Sequence, residues 1–165
     1  FKKGSNIITP CLSFSTSIAP IIQCGLIPNI VDSEIDTLNI KIEDIEKSIT
    51  KKTVAFLIPN LVGNICDWKK IYKIAKKYNL KIIEDSADTI GYKYLGNNTG
   101  KFSDVVTTSF YGAHLITGAG FGGLVCFNNH HLYEKAKMLR EYGRSSAIFK
   151  ESKQFRYQYS PRLRC

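Results

Sequence analysis

The chain has 165 residues, 44% of them hydrophobic, and a formal net charge of +9 at pH 7. That length supports one mixed domain with a genuine core; no apolar run approaches the ~20 residues of a membrane-spanning helix, and Phe1-Lys2-Lys3-Gly4 lacks the apolar centre and cleavage site of a secretory signal. The lysines fall as scattered doublets (Lys2-Lys3, Lys51-Lys52, Lys69-Lys70, Lys76-Lys77) without an aromatic platform, which reads as solvated faces and excludes an organised nucleic-acid surface.

Taken in chain order, Pro28-Asn29-Ile30-Val31 reads as a strand, and Ile42 to Ile49 as a helix started by Lys41 or its neighbours. Thr53-Val54-Ala55-Phe56-Leu57-Ile58 and Leu80-Lys81-Ile82-Ile83-Glu84 read as apolar strands flanking an amphipathic helix, together a β-α-β unit. In that helix Trp68, Ile71, Ile74, Ala75 and Tyr78 share one face, five lysines crowd the other, and Asp67 is placed to cap it. Further strands are predicted at Val105 to Ser109 and Gly123 to Phe127, and a last helix over Leu132 to Tyr142, stopped by Gly143. The expected fold class is α/β with a largely parallel sheet flanked by helices. Residues 1–147 are expected to form part of one large domain, with 148–165 a loop or the truncated start of the next region. The chain opens in mid-structure without a methionine, so it is expected to be a piece of a longer, cytoplasmic protein. The five cysteines are odd in number, scattered, and lack a C-x-x-C pair; they are expected to be reduced and mostly packed, with no metal site.

Ligands of parallel α/β sheets gather at the carboxyl ends of strands, where this sequence puts Glu84-Asp85, Ser109 and Gly118 to Gly123. A carboxylate such as Asp85 can pair there with a protonated ring nitrogen, although an acidic pair that merely caps the next turn is the commoner arrangement. Ser109 can donate its hydroxyl to a phosphate. The glycine run lacks the Lys-Ser/Thr ending of a nucleotide loop and precedes a strand, so it reads as a tight turn. Phe14 can lie against a ligand ring or simply pack in the core. His130 and His131 follow Asn128-Asn129 in a turn and read as surface capping; His114 alone would merit the same reading.

These residues form an ordered pattern: Ile7-Ile8-Thr9-Pro10 with Phe14-Ser15-Thr16, Gly25-Leu26-Ile27-Pro28 with Val31-Asp32, Asp36-Thr37-Leu38-Asn39-Ile40, Leu61-Val62-Gly63-Asn64, Glu84-Asp85-Ser86-Ala87-Asp88, and Ser109-Phe110-Tyr111 into the glycine turn. The pattern resembles the DegT/DnrJ/StrS family of sugar aminotransferases and dehydratases, which depend on pyridoxal phosphate (PLP), up to about Arg144. The family's aminotransferases carry lysine where this chain has His114 and usually glutamine where it has Asp88. Both exchanges resemble the branch of nucleotide-sugar 3-dehydratases, as do Leu61-Val62-Gly63-Asn64 and Arg140-Glu141-Tyr142-Gly143-Arg144.

The resemblance implies a fold type I aminotransferase architecture, a homodimer in full-length form, and PLP or pyridoxamine phosphate (PMP) as cofactor. It places Asp85 at the pyridine nitrogen, Ser109 at the phosphate, Phe14 on the ring, Asp88 near the phenolic oxygen and His114 as base. The implied substrate is a nucleotide-linked 4-keto-6-deoxyhexose of deoxysugar or lipopolysaccharide O-antigen biosynthesis, losing its C3 hydroxyl as water. An imidazole moves protons but cannot tether the cofactor as an amine does. Members that reduce through a [2Fe–2S] cluster place cysteines just after the aspartate motif and the Arg-x-x-Gly-Arg motif. Here those stretches read Ser86-Ala87-Asp88 and Ser145-Ser146-Ala147-Ile148, so no iron–sulfur cluster is expected, and glutamate is the expected amino donor. Phe121 stands where the family has an acidic residue in its Gly-Glu-Gly-Gly turn. The competing readings are a sugar aminotransferase and a catalytically inactive fragment.

Overall fold

A computed structural model describes residues 1–144. The backbone separates into two compact units, one spanning Phe1–Cys126 and a second beginning at Phe127. In chain order the elements are β1 (Asn6–Pro10), α1 (Ser15–Gln23), β2 (Ile27–Val31), α2 (Ile42–Ser48), β3 (Thr53–Pro59), α3 (Trp68–Lys77), β4 (Lys81–Asp85), β5 (Lys93–Tyr94), β6 (Asn97–Asn98), β7 (Val105–Ser109), β8 (Gly123–Phe127) and α4 (His130–Arg140). Six strands make one sheet in the order β2-β1-β3-β4-β7-β8, and β5 with β6 forms a small antiparallel hairpin. The pairs β1–β2, β1–β3, β3–β4 and β4–β7 are all parallel, as the alternation of apolar strands with helices requires.

The two-residue period of the strands sorts side chains between two layers. Ile8, Phe56, Ile58 and Ile82 join Ile45 of α2 and Trp68, Ile71 and Ala75 of α3 in the larger core, while Ile7 and Ala55 meet Ile21 of α1 on the opposite face. Each fully buried side chain of this size contributes about 1.5–3 kcal/mol over its exposed state, so the larger cluster dominates the stability of the sheet. In α3 the expected apolar stripe is buried at Trp68, Ile71 and Ala75, and the Asp67 side chain accepts the Lys70 N–H at 3.1 Å as the N-cap. Its lysines are solvated or paired at the surface: Lys70 with Asp67 at 3.3 Å and Lys77 with Glu46 at 2.7 Å. No described helix is long and apolar enough to cross a membrane.

Several expectations are corrected. β1 and α1 carry no clear sequence signal, because Pro20 lies inside α1; that helix stands on the packing of Ser17 and Ile21 against the sheet despite the lost N–H. His130 and His131 are the first residues of α4, not of a preceding turn, because the Asn129 side chain accepts the Leu132 N–H at 3.0 Å and starts the helix there. The helix ends at Arg140, two residues before expectation, and Gly143 follows Tyr142 with both in the left-handed region. Of the four described cysteines, all free, Cys66 alone is buried, whereas Cys11, Cys24 and Cys126 are exposed. The expected loop 148–165 and Cys165 lie outside the described residues.

Candidate active site

Because β1, β3, β4 and β7 run parallel, the loops at their carboxyl ends emerge on one edge of the sheet. Phe14 comes from the loop after β1, Asp85 and Asp88 from the end of β4 and its loop, and Ser109 and His114 from the end of β7 and its loop. Along β4, Ile82 and Glu84 point to the large core, so Asp85 points to the other face, beside Thr107 of β7 in the register.

Asp85 is half-buried, and its Oδ1 accepts the Ala87 N–H at 3.1 Å. This bond is the turn-capping arrangement that the bare sequence also allowed. Burial pushes the Asp85 carboxyl above its ordinary value, and the neighbouring Asp88 charge adds to that; the Ala87 and Thr107 hydrogen bonds and the charge of His114 pull it back. Asp88 is gripped by one oxygen, Oδ2, which accepts the Val62 N–H at 3.0 Å, and its Oδ1 lies 3.9 Å from His114 Nε2. That separation is an ion-pair distance for a protonated imidazole, too long for a hydrogen bond. Among the described residues His114 Nδ1 is buried without a hydrogen-bond partner, and Nε2 is the ring nitrogen on the Asp88 side.

The turn after β7 carries His114 back beside Tyr111, whose carbonyl accepts the His114 N–H at 3.0 Å; the two rings meet edge-on at 5.9 Å. Ser109 Oγ accepts the Tyr111 N–H at 3.2 Å, so its own O–H proton is free to be donated. Gly118 to Gly123 is a tight turn, as expected: Phe110 N–H donates to Gly122 O at 2.8 Å and Gly118 N–H to Phe110 O at 2.9 Å. A Cβ on Gly118 would stand 3.1 Å from the Phe121 carbonyl, which explains the glycine there. Phe121 projects outward, 81% exposed, and Phe14 is 72% exposed at the N-cap of α1, so neither is a core aromatic in the described residues. Exposure of that degree suits Phe14 to a ligand ring better than to the packing alternative.

Sequence reasoning missed the polar layer beneath this edge. Glu84, taken with Asp85 as one acidic pair, is instead 1% exposed and accepts hydrogen bonds from Asn60 Nδ2 (3.2 Å), Ser86 Oγ (2.9 Å), Gly100 N–H (2.9 Å) and Ser103 Oγ (2.6 Å). The signal was available: a charged residue inside an apolar strand on its core-facing phase requires buried donors.

The model of the DegT/DnrJ/EryC1/StrS aminotransferase family matches residues 1–162. The lipopolysaccharide biosynthesis protein RfbH of Salmonella typhimurium is 41% identical over 143 residues, covering 87% of this chain and 32% of that protein. GDP-perosamine synthase of Escherichia coli O157:H7 is 40% identical over 134 residues, covering 81% of this chain and 36% of the synthase. Among solved structures, the E. coli GDP-4-keto-6-deoxy-D-mannose-3-dehydratase with bound hydrated PLP superposes with a TM-score of 0.85 at 30% identity, covering 98% of this chain and 41% of that one. The chain thus spans about a third of the length of the two relatives. With the fold, the motif order and the extent of the match in agreement, the chain belongs to the DegT/DnrJ/EryC1/StrS aminotransferase family.

Proposed function

We propose that the full protein is a PLP/PMP-dependent 3-dehydratase of a nucleotide-linked 4-keto-6-deoxyhexose, working without an iron–sulfur cluster. The residues present fit the cofactor. Asp85 is a half-buried carboxyl pushed toward its neutral form, the state that a cationic ring nitrogen would reverse, and Ser109 keeps a hydroxyl proton to donate to a phosphate. When bound, the cofactor supplies the amine that engages the substrate ketone and a ring that accepts electrons.

In this reading Asp85 would hold the positively charged pyridine nitrogen of the cofactor, and Phe14 would lie against its ring. With the cofactor bound, His114 Nε2 would take a proton at its C4′ carbon and pass it to the departing C3 hydroxyl of the sugar, which would leave as water. Asp88, with Oδ1 at 3.9 Å from Nε2, would stabilise the imidazolium so formed and would lie near the cofactor's phenolic oxygen. Proton transfer by a positioned imidazole contributes about 10²–10⁴-fold. A homodimer and glutamate as amino donor complete the proposal.

The observation that carries it is His114 facing Asp88 on the loop after β7, where a Schiff-base chemistry would need an amine. The likeness to GDP-perosamine synthase favours a second reading, a sugar aminotransferase. The two separate on product: full-length protein given PMP and a nucleotide-linked 4-keto-6-deoxyhexose should yield a sugar deoxygenated at C3 with ammonia released. A stable 4-amino sugar retaining its C3 hydroxyl would favour the aminotransferase.

A further inference from the structure

We propose that Asn60, with the strained turn it begins, is a positioning residue that sets the placement of Asp85 and Asp88; this rests on the reading that those carboxylates serve a bound cofactor. Asn60 directly succeeds β3 and is 1% exposed. Its backbone N–H donates to the Asp85 carbonyl at 2.9 Å, fixing the residue that presents the ring-facing carboxyl. Its side-chain Nδ2 shares its two hydrogens among Glu84 Oε1, Ser86 Oγ and Thr89 Oγ1, each at 3.2 Å, residues that bracket Asp85 and Asp88 on both sides. Its Oδ1 accepts the Cys66 N–H at 3.0 Å and the Trp68 indole N–H at 2.9 Å, tying the same amide to the start of α3. One planar amide therefore spans the loop after β4 and the loop after β3.

The second arm is the turn Leu61–Gly63. Asn39 Oδ1 accepts the Leu61 N–H at 3.2 Å, and Asn64 Nδ2 donates to the Thr37 carbonyl at 2.8 Å, clamping both ends of the turn. Between them Val62 sits at φ +48°, a conformation that a β-branched residue adopts only when its surroundings impose it. The result of that conformation is the N–H that holds Asp88 Oδ2 at 3.0 Å and leaves Oδ1 facing His114. One carboxamide supplies both the N–H pair directed at Glu84, Ser86 and Thr89 and the acceptor for the Cys66 and Trp68 N–H groups, which accounts for asparagine at this position.

The test uses full-length protein and PLP as the probe, with Asn60→Ala and Asn64→Ala. Thermal melts report the fold, absorbance titration reports PLP affinity, and the circular dichroism of bound PLP reports its orientation. Asn64 is exposed and its amide clamps the turn to the Thr37 carbonyl, so Asn64→Ala is expected to melt close to wild type yet bind PLP several-fold more weakly, with altered dichroism. Asn60→Ala is expected to melt lower and, where folded, to weaken PLP binding by about tenfold or more. Should Asn60→Ala fail to fold, Asn64→Ala decides alone. Wild-type PLP affinity and dichroism in Asn64→Ala would overturn the proposal whatever the melting temperatures. Wild-type protein that binds neither PLP nor PMP would overturn the functional reading, and this inference with it.

Discussion

Replacing Asp85 with asparagine separates what the residue costs the fold from what it gives the cofactor. Asparagine has the same shape and can keep the 3.1 Å bond from the Ala87 N–H. In the cofactor-free protein, burial first and then the charge of Asp88 raise the Asp85 carboxyl above its ordinary value of 3.8, so the folded state binds more protons than the unfolded one across that window. The corresponding stability is fully present below the ordinary value and is lost as pH rises through the raised one. Asp85→Asn removes that loss and should raise the melting temperature of the cofactor-free protein at neutral pH. With PLP bound the sign reverses, because a charge-assisted hydrogen bond to the ring nitrogen is worth about 1.5–3 kcal/mol, a weakening of about 10–150-fold in Kd when it is lost. Melting curves of the full-length protein with and without saturating PLP should therefore cross between wild type and variant. A variant that melts lower without PLP and binds it with unchanged affinity would refute the reasoning.

His114→Asn should lower turnover by about 10²–10⁴-fold while leaving PLP affinity within a few-fold, as titration beside steady-state rates would show; a parallel loss of affinity would assign His114 to binding. Gly100→Ala meets two costs at once: φ +87°, worth about 1–2 kcal/mol, and a Cβ 2.9 Å from Val106 Cγ1, worth about 1–3 kcal/mol more. Gly91→Ala, at φ +82° with nothing within 4 Å, should incur only the first, and equal urea midpoints for the two would discount the Val106 clash. Burial pushes the Cys66 thiol up to about 12, so alkylation and then peptide mass mapping should label Cys11, Cys24 and Cys126 in the native protein and Cys66 only after unfolding.

The sheet was legible where the chemistry of a strand is local. Thr53 to Ile58 and Leu80 to Glu84 read as apolar runs with little break, within a residue of the strands Thr53–Pro59 and Lys81–Asp85, and α3 announces itself through the Asp67 cap and the spacing of Trp68, Ile71 and Ala75. β1 and α1 were not legible, since Pro20 argues against a helix and only the docking of Ile21 under the sheet outweighs it. The site divides in the same way. Asp85, Ser109 and His114 derive from strand ends, which the hydrophobic pattern locates. Asn60 and the Val62 turn depend on hydrogen bonds to residues more than twenty positions away, and no periodicity encodes those. Glu84 lay between these cases, visible as a charge on a buried phase but read only as half of an acidic pair at the strand end.

The central claim is that an imidazole, not an amine, faces the cofactor, which is therefore held without a covalent bond to the protein. Full-length protein saturated with PLP, treated with borohydride and weighed as an intact chain by mass spectrometry, puts this to a direct test. The account predicts an unchanged protein mass and release of all the cofactor on denaturation. A mass increase of one reduced cofactor, mapped to any lysine, would contradict it.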